Sequence, residues 1–136
     1  FDEAMRAYLR RWAYKHPNPL DLFWTFEDVS GQDLDWFFHP WLYTTRVMDQ
    51  AVVGVEQGPD AVTVALEDRG EIPMPVILEV VSDGGRSRQM VPVSAWQDRR
   101  TTVVVRVSGR VREVILDPEL RFPDVNRQDN RWAGGR

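Results

Sequence analysis

The sequence predicts an α+β fold in which three short N-terminal helices precede an antiparallel β-sandwich. Over residues 1–42, apolar residues recur at the three- and four-residue spacing of helices. From about Asp49 onward, apolar and polar residues alternate with a period of two, which is typical of half-buried strands. Turn signals rich in Gly, Pro and Asp separate the alternating segments about every ten residues, a spacing that favours a small all-β layer.

The composition indicates a globular protein and excludes several classes of site. A length of 136 residues suffices for one or two small domains, and a hydrophobic content of 43% excludes a wholly disordered chain. The chain has no cysteine, which excludes a disulfide scaffold, a Cys-ligated zinc site and a thiol nucleophile. The net charge is −4 and both signs are interspersed, so we expect no nucleic-acid partner. No apolar run approaches the roughly 18–20 residues that cross a bilayer, so we expect no membrane span.

The first predicted helix carries one apolar face, with acidic residues at its beginning and basic residues as far as His16 at its end. This order of charges suits the helix dipole. No capping residue precedes Phe1, so we expect the chain to be a piece of a longer protein. The residues of the apolar face are Phe1, Ala4, Met5, Tyr8, Leu9 and Trp12.

Capping signals predict a second helix from Pro19 to about Val29. Asn18 is a favourable N-cap, Asp21 stands three residues later as in a capping box, and Gly31 is a stop signal. The apolar residues of this helix do not keep to one narrow stripe, which is typical of a short helix packed between two layers.

A third helical segment opens at Asp33 and continues to Leu42, again with apolar residues at helical spacing. Pro40 lies inside this segment and removes the backbone donor that would bond the carbonyl of Trp36. We therefore expect a kink or a stop near His39.

The rest of the chain predicts six strands and a polar tail. The candidate strands are residues 50–56, 61–67, 76–81, 87–93, 102–107 and 111–116. The change of period places a domain boundary near residues 43–48. It divides the chain into a helical part at 1–45, a β-sandwich at 46–122 and a polar tail at 123–136, which we expect to be loosely held.

Catalytic motifs are missing from the sequence. It contains no phosphate-binding glycine loop and no nucleophile elbow. His16 and His39 are too far apart in sequence to lie one helical turn from each other, so a helical two-histidine zinc site cannot be built. We interpret His16 as a cation at the end of a helix and His39 as a surface or packing residue. The sequence thus predicts no catalytic, cofactor-binding or metal-binding residue.

The acidic segment 124–130 offers four Asp and Asn side chains, a density of oxygen atoms that could hold Ca²⁺. It lacks the central glycine and the terminal glutamate of an EF-hand loop. Arginines at 127 and 131 interrupt and flank it, and their charge would repel a cation. We interpret the segment as turns made by Asp and Asn side chains bonding their own backbone, and cation binding remains the alternative.

The tryptophans suggest a second hypothesis about function. Four of them lie in the helical part at helical spacing, where aromatic stripes usually form a core or an interface. Trp96 and Trp132 lie in the β-rich part, and exposed aromatic rings on a β-sandwich can stack on sugars. A β-sandwich module that binds carbohydrate or peptide is therefore an alternative function.

The order of elements and several motifs resemble one protein family over nearly the whole chain. The pattern resembles the end of the catalytic domain and the following sandwich domain of aminopeptidase N-type zinc metallopeptidases, the gluzincins. The motifs that carry the resemblance are Phe1-x-x-Ala4-Met5-x-x-Tyr8-x-x-x-Trp12-x-Tyr14, Pro19-x-Asp21-x-Phe23, Ser30-Gly31-x-Asp33-Leu34-x-Trp36-Phe37-Phe38-x-x-Trp41-Leu42, Pro73-Met74-Pro75-Val76 and Leu116-Asp117-Pro118.

The resemblance implies a division of labour between this chain and a longer parent protein. Residues 1–45 would be the helical end of a thermolysin-like catalytic domain, and residues 46–122 an Ig-like β-sandwich. The family's His-Glu-x-x-His helix, its later glutamate ligand and its catalytic tyrosine match no position in this sequence. Zinc and peptidase activity are therefore expected in the parent alone, with this chain as a non-catalytic scaffold.

Two partners follow from the same resemblance. The first is the catalytic domain of the parent chain, against which the scaffold would pack. The second is another copy of this chain, which would contact apolar residues of 1–42 that are no longer fully covered, above all Leu22, Phe26 and neighbouring aromatic residues. A separate protein-interaction domain, whose aromatic helical face docks an unrelated partner, is a further alternative.

Overall fold

The computed structural model describes residues 1–96 and 99–134. The chain divides into two compact units, Phe1–Thr45 and Arg46–Arg136. In the described residues, three helices are followed by seven antiparallel strands in two sheets. This α+β order is the one that the sequence predicts.

The first unit contains helices α1 (Asp2–Trp12), α2 (Pro19–Ser30) and α3 (Asp35–Tyr43). The predicted capping of α2 is confirmed. The Asn18 side chain accepts hydrogen bonds from the backbone of residues 20 and 21, and the Asp21 carboxylate accepts one from the Asn18 backbone. Gly31 ends the helix in the left-handed conformation, with φ of 66°, which glycine adopts without steric cost.

Two helix ends differ from the prediction. Helix α1 ends at Trp12, one turn short of His16, because Tyr14 is left-handed with φ of 61° and cannot continue a right-handed helix. Helix α3 continues through Pro40 to Tyr43, so of the two outcomes predicted near His39, a kink or a stop, the stop is wrong. Proline costs this short helix one backbone hydrogen bond, and burial of its ring favours keeping it inside the helix.

Aromatic rings pack the helices of the first unit together. Phe23 of α2 stacks on Phe38 of α3 with ring centroids 4.2 Å apart, and Phe26 meets Phe38 edge-on at 6.1 Å. Small side chains let α1 approach, since Ala4 and Ala7 are its buried residues. Few side chains of this unit are fully buried, so its core is thin.

The second unit contains two antiparallel sheets. The three-stranded sheet has the order β1-β2-β5 and the four-stranded sheet has the order β4-β3-β6-β7. A short 3-10 helix precedes β5. The strands are β1 (Gln50–Gln57), β2 (Ala61–Asp68), β3 (Val76–Ser82), β4 (Gly85–Val91), β5 (Arg100–Arg106), β6 (Val111–Leu116) and β7 (Arg131–Ala133), and the 3-10 helix is Val93–Trp96.

One hydrophobic core is shared by side chains from both sheets. Strand β2 shows the expected alternation, with every second residue buried from Val62 to Asp68. Trp96 closes the core, and its indole N–H donates to the carbonyl of Met74 at 2.8 Å. The fully buried core residues include Val62, Val64, Leu66, Leu78, Val80 and Val114.

The prediction of a loosely held tail is wrong for residues 124–134. Strand β7 pairs with β6, the Val52 N–H donates to the carbonyl of Asp129 at 2.8 Å, and the Leu116 N–H donates to that of Asn130 at 2.8 Å. The polarity of the tail suggested that it is exposed to solvent. Instead, its backbone carbonyl groups accept hydrogen bonds from N–H groups of the strands. Residues 135 and 136 of the predicted tail lie outside the described residues.

Candidate functional site

The two histidines lie on the surface of the first unit. His16 is exposed, and the exposed ring of His39 stacks on Tyr43 with centroids 6.1 Å apart. In residues 1–96 and 99–134, the group of acidic side chains with mutually close ligand atoms is Glu27, Asp33 and Asp35. One Glu27 oxygen already accepts a backbone hydrogen bond at 3.0 Å, and both aspartates are exposed. This group is a weak candidate for a metal site.

The tryptophans of the β unit do not form an open platform. Trp96 is 3% exposed and belongs to the core, and Trp132 is half-buried and packs against that core. Stacking on a sugar needs an exposed aromatic face. The structure therefore gives no support to carbohydrate binding through these two residues.

The helical unit exposes a high density of large apolar side chains. Trp24 and Leu20 lie one turn apart on α2 and are 59% and 44% exposed. A groove of ≈ 270 Å³ lies between α1 and α2, with Trp12 and Trp24 in its wall. The other exposed members in this unit are Phe1, Leu9, Tyr14, Phe37, Leu42 and Tyr43.

The tail segment 124–130 lies along the beginning of β1 in the second unit. The Val125 N–H donates to the carbonyl of Met48 at 3.0 Å, and the Gln50 N–H donates to Asp124 Oδ2 at 3.0 Å. These backbone contacts place Asp49 beside the acidic tail. We call Asp49, Asp124, Asp129 and Asn130 the acidic junction.

Hydrogen bonds hold Asp124, Asp129 and Asn130 of the acidic junction in one cluster. Asn126 links two of its carboxylates, since its backbone N–H donates to Asp124 Oδ1 at 2.9 Å and its amide donates to Asp129 Oδ2 at 2.8 Å. The Asn130 amide donates to Asp124 Oδ2 at 3.1 Å. The bond from the Asn126 backbone is the local turn that the sequence predicts for this segment.

The acidic junction carries an excess of negative charge. Burial raises the pKa of Asp49, and the charges of Asp129 and Asp124 raise that pKa further. Arg69 offsets part of this charge through Asp129, with Nη1 and Oδ2 2.5 Å apart. The same guanidinium is shared with Glu67, at 3.2 Å from Nε to Oε2.

Three oxygen atoms of the acidic junction are buried without accepting a hydrogen bond from the described residues. They are the Oδ1 atoms of Asp49, Asp129 and Asn130. Asn130 is 5% exposed, so its amide oxygen has little access to solvent. Buried oxygens of this kind cost free energy unless a donor or a cation satisfies them.

The two arginines in and beside the acidic segment, Arg127 and Arg131, pair with groups outside the acidic junction. Arg127 bonds the carbonyl of Phe122 and lies 3.5 Å from Asp117, and Arg131 pairs with Glu113. The sequence suggested that these arginines would repel a cation from residues 124–130. In the fold their charges are paired outside the acidic junction.

Sequence reasoning missed Asp49 and Arg69 as members of this cluster, because they lie more than fifty residues before the tail and only strand pairing brings them there. It also missed Glu79, a carboxylate 1% exposed between two arginines of β4. A glutamate inside the apolar run of residues 76–81 was the available signal for that buried charge.

Comparison of the chain with protein-family models, with curated proteins and with solved structures gives no match. Among the described helices, none is both long and apolar enough to cross a membrane.

Proposed function

We propose that this chain is a non-catalytic scaffold segment of an aminopeptidase N-type zinc metallopeptidase, packed against the catalytic domain of its parent. One observation carries the proposal: eight large hydrophobic side chains of the unit Phe1–Thr45 are exposed. Apolar surface at this density is typical of a face that another protein surface covers. The motif order supports the identity of that surface.

The second unit supplies the rigid part of the proposed scaffold. It is proposed to be an Ig-like β-sandwich, supported by two antiparallel sheets of three and four strands around one core. Fold alone does not assign a function, so the family enters through the sequence motifs. In this proposal the zinc ion and its ligands belong to the catalytic domain of the parent.

The first test reads the native gene upstream of the codon for Phe1. We expect an open frame that encodes His-Glu-x-x-His on a predicted helix, with a further glutamate downstream of it. A frame without this motif would overturn the proposal.

The second test expresses that upstream segment and the present chain as separate polypeptides and measures their co-purification. We expect the two to form a complex that the double variant Leu20→Ser, Trp24→Ser weakens, because it removes exposed apolar area from α2. Val104→Ser, at an exposed apolar position of β5, is the matched control and should leave the complex intact. Equal loss with both variants would contradict a role for the helical surface.

A further inference from the structure

The acidic junction contains negative charge that its arginine only partly offsets and oxygen atoms that accept no hydrogen bond from the part of the chain that the structure describes. The charges of Asp129 and Asp124 act on Asp49, and Arg69, which pairs with Asp129, is shared with Glu67. Hydrogen bonds from the described residues satisfy both oxygens of Asp124, but none reaches the buried Oδ1 atom of Asp49 or of Asp129.

The buried amide oxygen of Asn130 is a second observation, which does not depend on the charges of the carboxylates. Asn130 is nineteen-twentieths buried, and its amide nitrogen is held on Asp124 Oδ2, so the amide group lies within the junction. Its orientation is set by that bond, since turning the amide over would bring its oxygen against the carboxylate. The Oδ1 atom accepts no hydrogen bond from the described part of the chain. A neutral amide oxygen is one of the ligand types that Ca²⁺ takes in proteins.

We propose that the acidic junction binds one divalent cation of the calcium type, held by side-chain oxygens of Asp49, Asp129 and Asn130. The cation joins the beginning of β1 to the tail segment 124–130 and so ties the end of the second unit to its sheets. This proposal does not rest on the proposed function of the chain.

The donor set favours calcium over other common metals. All the candidate ligands are oxygen atoms, from two carboxylates and one amide, which is the hard donor set that Ca²⁺ takes. Structural zinc prefers cysteine and histidine, and neither residue type is in the junction. Mg²⁺ demands near-ideal octahedral geometry and gives up its water reluctantly, so a site with few protein ligands should bind it more weakly.

The primary test is calorimetric titration of the full chain with CaCl₂ after removal of metals with EDTA. We expect one site per chain with a Kd of about 10⁻⁴–10⁻³ M, the weak end of the range for protein calcium sites, because only two of the proposed ligands are charged. At about 10 mM CaCl₂ the melting temperature of the second unit should rise by about 5 °C or more, and by less in MgCl₂. No heat of binding together with an unchanged melting temperature would overturn the proposal.

Asp49→Asn removes one charged ligand of the proposed site and keeps the size of the side chain. In EDTA this variant should melt at the same temperature as the unsubstituted chain or higher, because it removes a charge that burial and the charges of Asp129 and Asp124 disfavour. In CaCl₂ it should bind at least about tenfold more weakly, because calcium affinity depends on the number of charged ligands. If Asp49→Asn binds calcium with the affinity of the unsubstituted chain, Asp49 is not a ligand and the proposed site is refuted.

Asp83→Asn is the matched control in the same unit. Asp83 is a surface carboxylate whose Oδ1 lies 2.7 Å from Nε of Arg112. This variant should keep the calcium affinity and the calcium-dependent rise in melting temperature. Equal losses in Asp83→Asn and Asp49→Asn would show non-specific screening of negative charge and contradict a discrete site.

Discussion

The Nε atom of Arg88 on β4 lies 2.6 Å from Oε2 of Glu79 on β3, a carboxylate that is 1% exposed. Arg86 holds the other oxygen at 2.6 Å. Burial by itself would raise the pKa of Glu79, but the two guanidinium groups outweigh it and lower the pKa. The buried charge is thus fully paired, in contrast to Asp49, whose pKa is raised.

Arg88→Met is expected to destabilise the second unit by about 1–3 kcal/mol, because it leaves a buried carboxylate oxygen without its donor. Methionine keeps most of the aliphatic length, so loss of packing is small. Urea unfolding measures the change, with Arg106→Met on exposed β5 surface as the control. Equal effects of the two substitutions would contradict a special role for the Glu79 pair.

The difference in free energy of unfolding between the unsubstituted chain and Glu79→Gln should depend on pH. Because the folded-state pKa of Glu79 is lowered, its ionisation stabilises the fold above the unfolded-state pKa of about 4.3. That contribution is lost as pH falls through the folded pKa. Urea unfolding of both proteins from pH 7 to pH 3 should show the difference shrinking toward acid, and a constant difference would count against the pairing.

In EDTA, ionisation of Asp49 should lower the free energy of unfolding, the opposite of the effect at Glu79. Its folded-state pKa is raised, so ionisation of Asp49 destabilises the fold at pH 7, and this penalty disappears as pH falls through the folded pKa toward the unfolded value. The rise in melting temperature of Asp49→Asn over the unsubstituted chain should therefore be largest at neutral pH and small at pH near 4. Thermal melts of both proteins across this range check it, and a gain that grows toward acid would be inconsistent.

The second unit should fold without the first. Its core consists of side chains from residues 62–116, so a chain that begins at Arg46 keeps every member of that core. We expect this chain to melt cooperatively, whereas residues 1–45 alone should aggregate or unfold, since short helices are marginal in water without packing partners. Calorimetry and amide exchange on both pieces measure this, and a non-cooperative melt of the second unit would contradict it.

The intact chain should self-associate through its helical unit. Exposed apolar side chains such as Trp24 and Leu20 favour burial against a second copy when no larger partner is present. Light scattering over a concentration series should show dimers, and the double variant Leu20→Ser, Trp24→Ser should shift the protein toward monomer. A strict monomer at high concentration would argue that this surface needs no cover.

The chain by itself is expected to hold no stoichiometric zinc and to cleave no aminoacyl substrate, because it has no cysteine and its two histidines are too far apart in sequence to form a helical zinc pair. Elemental analysis and an aminopeptidase assay check the two expectations separately. About one zinc per chain, or a chelator-sensitive peptidase activity that co-purifies with it, would require a different assignment.

Local chemistry in the sequence was sufficient to predict the helices and six strands. The Asn18 cap and the left-handed Gly31 work through bonds within a few residues, so α2 begins and ends within one residue of its prediction. Alternation along β2 follows from side chains that point to opposite faces of a sheet. Signals of this kind need no knowledge of the partner strand.

Tertiary structure alone decided how distant polar residues meet. Pro40 stays inside α3 although its missing backbone donor predicted a kink or a stop, and Arg131–Ala133 of the polar tail form strand β7 because β6 offered an open edge. Asp49 and Asp129 share one cluster only because residues 124–130 return along the beginning of β1. Each outcome depends on contacts between residues far apart in the chain, whose free energy no local pattern contains.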